Sequence, residues 1–136
     1  MPDMGGSKED LSRYRIQRSW EDLSVAELLF KEKLYRIANN RSYYSIFHAL
    51  RAVLILEGFD SGKHSGIIAE FRRRYIKENI FPAEMSKMIG SAFTIRNTSD
   101  YDDMFIASAD ETEEQIKNAH FVYEKVKAYL TEKGII

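Results

Sequence analysis

Apolar residues recur three and four positions apart along most of this chain, the spacing that gathers side chains on one face of a helix. From Lys8 to Lys33, Leu11, Tyr14, Ile16, Trp20, Leu23, Ala26, Leu29 and Phe30 follow it, with Ser19, Glu21, Asp22, Glu27 and Lys31 assigned to the outer face. A second helix is expected over Leu34 to Leu56, ending at Glu57-Gly58-Phe59-Asp60-Ser61-Gly62, where two glycines supply a turn. A third starts near Lys63 and carries Ile67, Ile68, Phe71 and Tyr75 until Asn79 to Pro82 interrupt it. A fourth covers Ala83 to Asn97, with Met85, Met88, Ile89, Ala92, Phe93 and Ile95 inward. The polar, acidic stretch Thr98 to Ala109 shows no helical period and reads as a connector. Ser108 and Glu111 then stand at capping-box spacing before a last helix that carries Ile116, Ala119, Val122, Tyr123, Val126, Tyr129 and Leu130 toward Gly134.

No stretch alternates apolar and polar residues long enough to make a strand, and Pro2 and Pro82 are the only prolines. The expected fold class is all-α, an antiparallel up-and-down bundle of four to five helices. Its core is expected to gather Trp20, Ile46, Phe47, Leu50, Phe93 and Val122. With 136 residues, 44% of them apolar, the chain has material for one core. Residues 1–7 read as a disordered leader and 8–136 as a single domain.

Charge narrows the function classes. Twenty basic residues against 21 acidic ones leave no global attraction for nucleic acid or anionic lipid, so any such surface is local. Absence of cysteine removes disulfides, thiolate metal sites and a cysteine nucleophile. The opening residues lack a signal-peptide pattern and the longest apolar runs are far short of a membrane span, so a cytoplasmic location without membrane contact is expected.

The second helix carries the chemistry. At 100° per residue Tyr43, Ile46, Phe47, Leu50, Val53 and Leu54 share one face, while Ile37, Arg41, Tyr44, His48, Arg51 and Ile55 share the opposite one. Charges on the central helix of a small bundle need partners. Two readings fit. In one, Arg41 and Arg51 bind phosphate and His48 performs acid-base chemistry near neutral pH. In the other, the arginines pair with acidic residues of the connector and His48 is an interior or interface histidine. A second cluster, Arg96 to Asp103, spaces Arg96 and Asp100 for an i,i+4 pair, and its three aspartates are a poor match to a divalent-metal site. His64 reads as a capping or packing residue and His120 as partly exposed. The basic run Arg72-Arg73-Arg74 reads either as a contact for RNA phosphates or as a solvated face.

Taken together, Arg41-Ser42-Tyr43-Tyr44 with Phe47-His48-Ala49, then Gly58, His64-Ser65-Gly66, Phe71, and Arg96 with Asp100-Tyr101, resemble the HEPN family. The likeness is to the branch with the signatures R-x-Y-Y-x-x-F-H-A, H-S-G and R-x-x-x-D-Y, and it spans about residues 10 to 130. The resemblance implies a homodimeric HEPN-like bundle that acts with a minimal nucleotidyltransferase in a toxin-antitoxin or related module, without metal or cofactor. Many members of that family are metal-independent endoribonucleases, with an arginine, a polar residue and then a histidine meeting across the dimer. Here Arg96-Asn97 matches the start of the motif, but Tyr101, Asp102 and Asp103 occupy the positions of the histidine. The expectation that follows is a groove of Arg41, Tyr44, His48, Arg51, Arg96, Asp100 and Tyr101 that binds RNA, a nucleotide or the nucleotidyltransferase. The alternative is a ribonuclease toxin using Arg96 or Arg41 with His48.

Overall fold

The computed structural model describes residues 7–136. Of the expected leader only Ser7 falls among them, and it is the N-cap of the first helix: its hydroxyl accepts from the Asp10 amide and the Asp10 carboxylate accepts from the Ser7 amide. Five helices follow: α1 (Lys8–Lys31), α2 (Tyr35–Leu54), α3 (His64–Phe71), α4 (Glu84–Tyr101) and α5 (Ala109–Glu132). A 3-10 turn, Ile55–Glu57, prolongs α2 and ends at Gly58, whose φ of 82° is the left-handed conformation that glycine adopts without strain. One turn of π-helix, Arg72–Ile76, finishes α3 before the Pro82 break. No strand occurs among the described residues, and the chain is an antiparallel helical bundle.

Helix α2 touches all four others and is the axis of the bundle. Its apolar face behaves as the periodicity requires, since Tyr43, Ile46, Leu50, Val53 and Leu54 are fully buried and Phe47 nearly so. Around them pack Leu23, Ile67, Phe71, Met85, Ile89, Val122 and Leu130. Phe93 is partly buried against this cluster. Trp20 departs from expectation: it is 42% exposed, lying beside the Tyr123 ring at 5.3 Å. The reason is the way α1 meets α2.

That contact is a seam of small residues. Ser12, Ser19 and Ala26 are seven apart on α1, Ala38, Ser45 and Ala52 are seven apart on α2, and all six are fully buried. The Ser12 hydroxyl donates to the Ala52 carbonyl (2.6 Å) and the Ser19 hydroxyl to the Ser45 carbonyl (2.7 Å), while the Ser45 hydroxyl donates back to Ser19 (2.9 Å). Side chains this short let the two backbones approach closely, and each hydroxyl that is buried finds a carbonyl. Ser19 and Asp22, assigned by polarity to the outer face, therefore face inward. Trp20, one residue beyond Ser19, is turned outward.

Helix α4 is longer than its period indicated. The residues Thr98 to Tyr101, expected in a connector, complete its last turn. Partners from α2 explain the extension: Asn39 donates to the Ser99 hydroxyl (3.2 Å) and Asn40 to the Asp100 carboxylate (2.9 Å). Arg36 donates to the carbonyls of Ser99 and Phe105, so a cation covers carbonyls at the C-terminal end of α4.

Candidate functional site

The polar face of α2 is divided between Asp22 on α1, Asp60 in the loop after α2, and Arg96 on α4. Arg41 reaches across the small-residue seam to Asp22 on α1, with Nη1 3.0 Å from Oδ1. Its Nε and Nη2 also donate to the Asn40 side-chain oxygen, at 2.9 and 2.7 Å. His48 lies one turn beyond Tyr44 and places Nε2 3.4 Å from the other Asp22 oxygen, which has no hydrogen bond among the described residues. Arg51 points away to the loop after α2, where it and Arg15 share the carboxylate of Asp60, each at 2.8 Å. These arginines thus find acids on α1 and in the loop at Asp60, not in the segment after α4.

Burial and charge fix the protonation of this cluster. Loss of water around His48, reinforced by the positive field of Arg18, Arg51, Arg41 and Arg15, lowers its pKa to about 4. Asp22 is shifted upward because burial outweighs the attraction of Arg41 and Arg18. His48 is therefore a neutral, enclosed imidazole beside a reluctant carboxylate.

The C-terminal end of α4 forms a second cluster on the other side of Tyr44. Arg96 Nη2 donates to the Tyr44 hydroxyl (3.0 Å), and Nε lies 2.8 Å from the Asp100 carboxylate, a close ion pair without hydrogen-bond alignment. The Tyr44 ring is flanked by two guanidiniums, Arg41 at 5.0 Å and Arg96 at 5.2 Å. Tyr101, 74% exposed, lies 5.7 Å from Arg96. An open groove runs past these groups, lined by Tyr44, Lys63, His64, Ser65, Phe93, Arg96, Asn97 and Tyr101.

Of the seven residues expected in one groove, Tyr44, Arg96 and Tyr101 line it. Asp100 stands behind Arg96 and is joined to Arg41 through Asn40, which donates to Asp100 and accepts from Arg41. His48 and Arg51 are on other parts of α2 and do not reach it. Sequence reasoning missed Asp22 and left His64 outside the site. The His64 ring stacks on Phe47 at 4.1 Å and its Nδ1 shares a 2.8 Å hydrogen bond with the Tyr43 hydroxyl. The H-S-G run was the signal that pointed to it.

The remaining candidates are accounted for by pairing. His120 meets Glu27 at 2.8 Å on the surface. Arg73 and Arg74 are held by Glu70 at 2.8 and 2.7 Å, with Glu57 near Arg74, so the basic run is largely neutralised by its own neighbours. Among the described residues no group of three or more acidic or histidine side chains is placed to hold a metal.

The family model for the HEPN domain matches residues 12–129. The chain belongs to the HEPN family. Its relatives extend across most of this HEPN chain. A protein of Methanocaldococcus jannaschii named "putative toxin" is 31% identical over 89% of this chain and 82% of its own length. A second of the same name and organism is 32% identical over 86% of this chain and 87% of its own. A UPF0332 protein of Thermotoga maritima is 32% identical over 82% and 85%. No helix of this HEPN protein is long and apolar enough to cross a membrane among the described residues.

Proposed function

We propose that this HEPN protein is the toxin-type member of a two-component module, and that the groove at Arg96 binds RNA or a nucleotide. The observation that carries the reading is the fixing of Arg96, by the Tyr44 hydroxyl and Asp100, at the edge of an open groove that also presents Lys63. Guanidinium and ammonium groups suit phosphate, and the rings of Tyr44, Phe93 and Tyr101 suit stacking against bases. The toxin naming of the two archaeal relatives points to the same kind of module. Fluorescence anisotropy with a short single-stranded RNA tests it: Arg96→Ala should weaken binding by about tenfold or more, the worth of a charged phosphate contact. Equal affinity of wild type and variant would remove Arg96 from the site.

The module we infer is a homodimer in the cytoplasm that works with a minimal nucleotidyltransferase. Exposed Leu34, Ile37 and Ile106 around a shallow depression at the α1–α2 turn support self-association, since contiguous apolar surface is expensive to leave in water. Light scattering at micromolar concentration should give twice the 15.8 kDa chain mass, and a monomer mass would count against it. Cleavage with His48 as base, alongside Arg96 or Arg41, is the less supported alternative because His48 is enclosed against Asp22. Incubation of wild type and His48→Ala with total RNA in EDTA separates the two: cleavage lost in the variant would favour the ribonuclease.

A further inference from the structure

His64 is the one histidine that lines the groove, and its surroundings decide which nitrogen carries the proton. Tyr43 is 1% exposed, and burial raises its pKa, so the phenol keeps its hydrogen. The only hydrogen-bond partner of that hydroxyl among the described residues is His64 Nδ1, at 2.8 Å. A buried hydroxyl donates to the acceptor it has. Nδ1 is then the unprotonated nitrogen of a neutral ring, and the hydrogen sits on Nε2. Burial, Arg96 and Arg51 all favour the neutral ring.

The ring is also held in place. Phe47 stacks beneath it at 4.1 Å and the Tyr44 ring stands edge-on at 5.7 Å. With Nδ1 turned to the buried phenol, Nε2 is on the opposite edge of the ring and makes no hydrogen bond among the described residues. A fixed N–H donor thus stands in a groove beside Arg96, Lys63 and Ser65, a donor set without a competing carboxylate on the lining. Asp100, behind Arg96, is engaged by Arg96 and Asn40.

We propose that His64, and not His48, is the histidine that meets the groove's ligand, donating from Nε2 to a phosphate oxygen while Arg96 supplies the charge. This rests on the reading of the groove as an RNA or nucleotide site, and it adds a residue and an atom to it. Tyr43 is its positioning residue, holding the tautomer through Nδ1.

Long-range proton–nitrogen NMR of the full chain reads the tautomer directly. The expected spectrum has a pyridine-like Nδ1 and a pyrrole-like Nε2 for His64, and a pyrrole-like Nδ1 would overturn the proposal. Titration with inorganic phosphate, with adenosine monophosphate and with a short single-stranded RNA should shift Nε2 in all three cases. A shift with RNA alone would mean a base contact and would overturn the phosphate assignment. In binding assays with the RNA, His64→Ala should weaken affinity by about tenfold, the worth of one hydrogen bond to a charged group, and His64→Gln, whose amide can occupy the place of Nε2, should recover most of it. A merely structural imidazole would be lost equally in both variants. Tyr43→Phe should leave the fold intact and give a mixture of tautomers. If Arg96→Ala loses binding and His64→Ala does not, the proposal fails while the groove stands; if neither loses binding, the groove reading falls as well.

Discussion

Asp22 answers the charges of α2, and it does so from a position where polarity alone placed it in solvent. It is 7% exposed and, among the described residues, is the sole acid paired with Arg41. Removing it leaves the Arg41 guanidinium without a counter-charge, held only by the Asn40 side chain among the described residues, beside a neutral histidine. A fully buried broken pair costs about 3 to 5 kcal/mol, and because Arg41 keeps a third of its side chain in water, Asp22→Ala should cost about 2 kcal/mol. The urea midpoint checks this, with exposed Glu113→Ala as the unchanged control; equal midpoints would show that Arg41 is solvated without its partner. Asp100 is the corresponding acid of the α4 cluster, held by Arg96 and Asn40 at 2.8 and 2.9 Å. Asp100→Ala should cost about 1 to 2 kcal/mol by the same measurement, as the loss of one part-buried pair and one hydrogen bond. A shift no larger than that of Glu113→Ala would detach Asp100 from the site.

At the scale of elements, the closeness of α1 and α2 positions everything on the polar face, because it is what brings Asp22 to Arg41 and His48. Ser19→Leu should destabilise by about 2 to 3 kcal/mol, by overfilling the seam and by removing the hydroxyl that bonds the Ser45 carbonyl across it. Leu28→Ala, at an exposed position on the same helix, should move the thermal midpoint far less, and the reverse order would place the seam elsewhere. The existence and apolar faces of the helices were legible because their periods are carried by Leu, Ile and Phe, which have one reason to be inside. The seam was not, because serine is buried here only by virtue of a carbonyl on another helix. The α4 cluster was half legible: the Arg96–Asp100 spacing was visible, but the helical turn that makes it a pair depends on Arg36, Asn39 and Asn40. A run of Thr, Ser and Asp has no period of its own to announce that turn. His64 could be found only as part of a motif, since its role depends on Tyr43 and Phe47 from a different helix.

For the whole molecule, charges brought inside are mostly answered from within, and the sum is near zero, so pH acts on the fold chiefly through groups whose protonation differs between folded and unfolded chains. His48 is the clearest of these, its pKa lowered from the ordinary 6.5 to about 4 by burial and by four arginines. Below pH 6.5 the unfolded chain takes up a proton that the folded chain refuses, so the unfolded state gains and stability declines as pH falls from 6.5 toward 4; above that window His48 contributes no slope. His64 is displaced in the same direction, by burial and by Arg96 and Arg51. Asp22 acts oppositely, because its raised pKa lets the folded chain bind a proton before the unfolded one does, which returns some stability near the acid end of the window. The histidine effect is the larger, up to about 3 kcal/mol for His48 by linkage. The urea midpoint of the wild type should therefore fall steadily between pH 6.5 and 4. In His48→Gln the slope over that window should be clearly shallower, because the group that gains a proton on unfolding is gone. Parallel slopes in the two proteins would mean that His48 is protonated in the fold at mild acidity and is paired with Asp22 as an imidazolium, and the neutral, enclosed state assigned to it would be wrong.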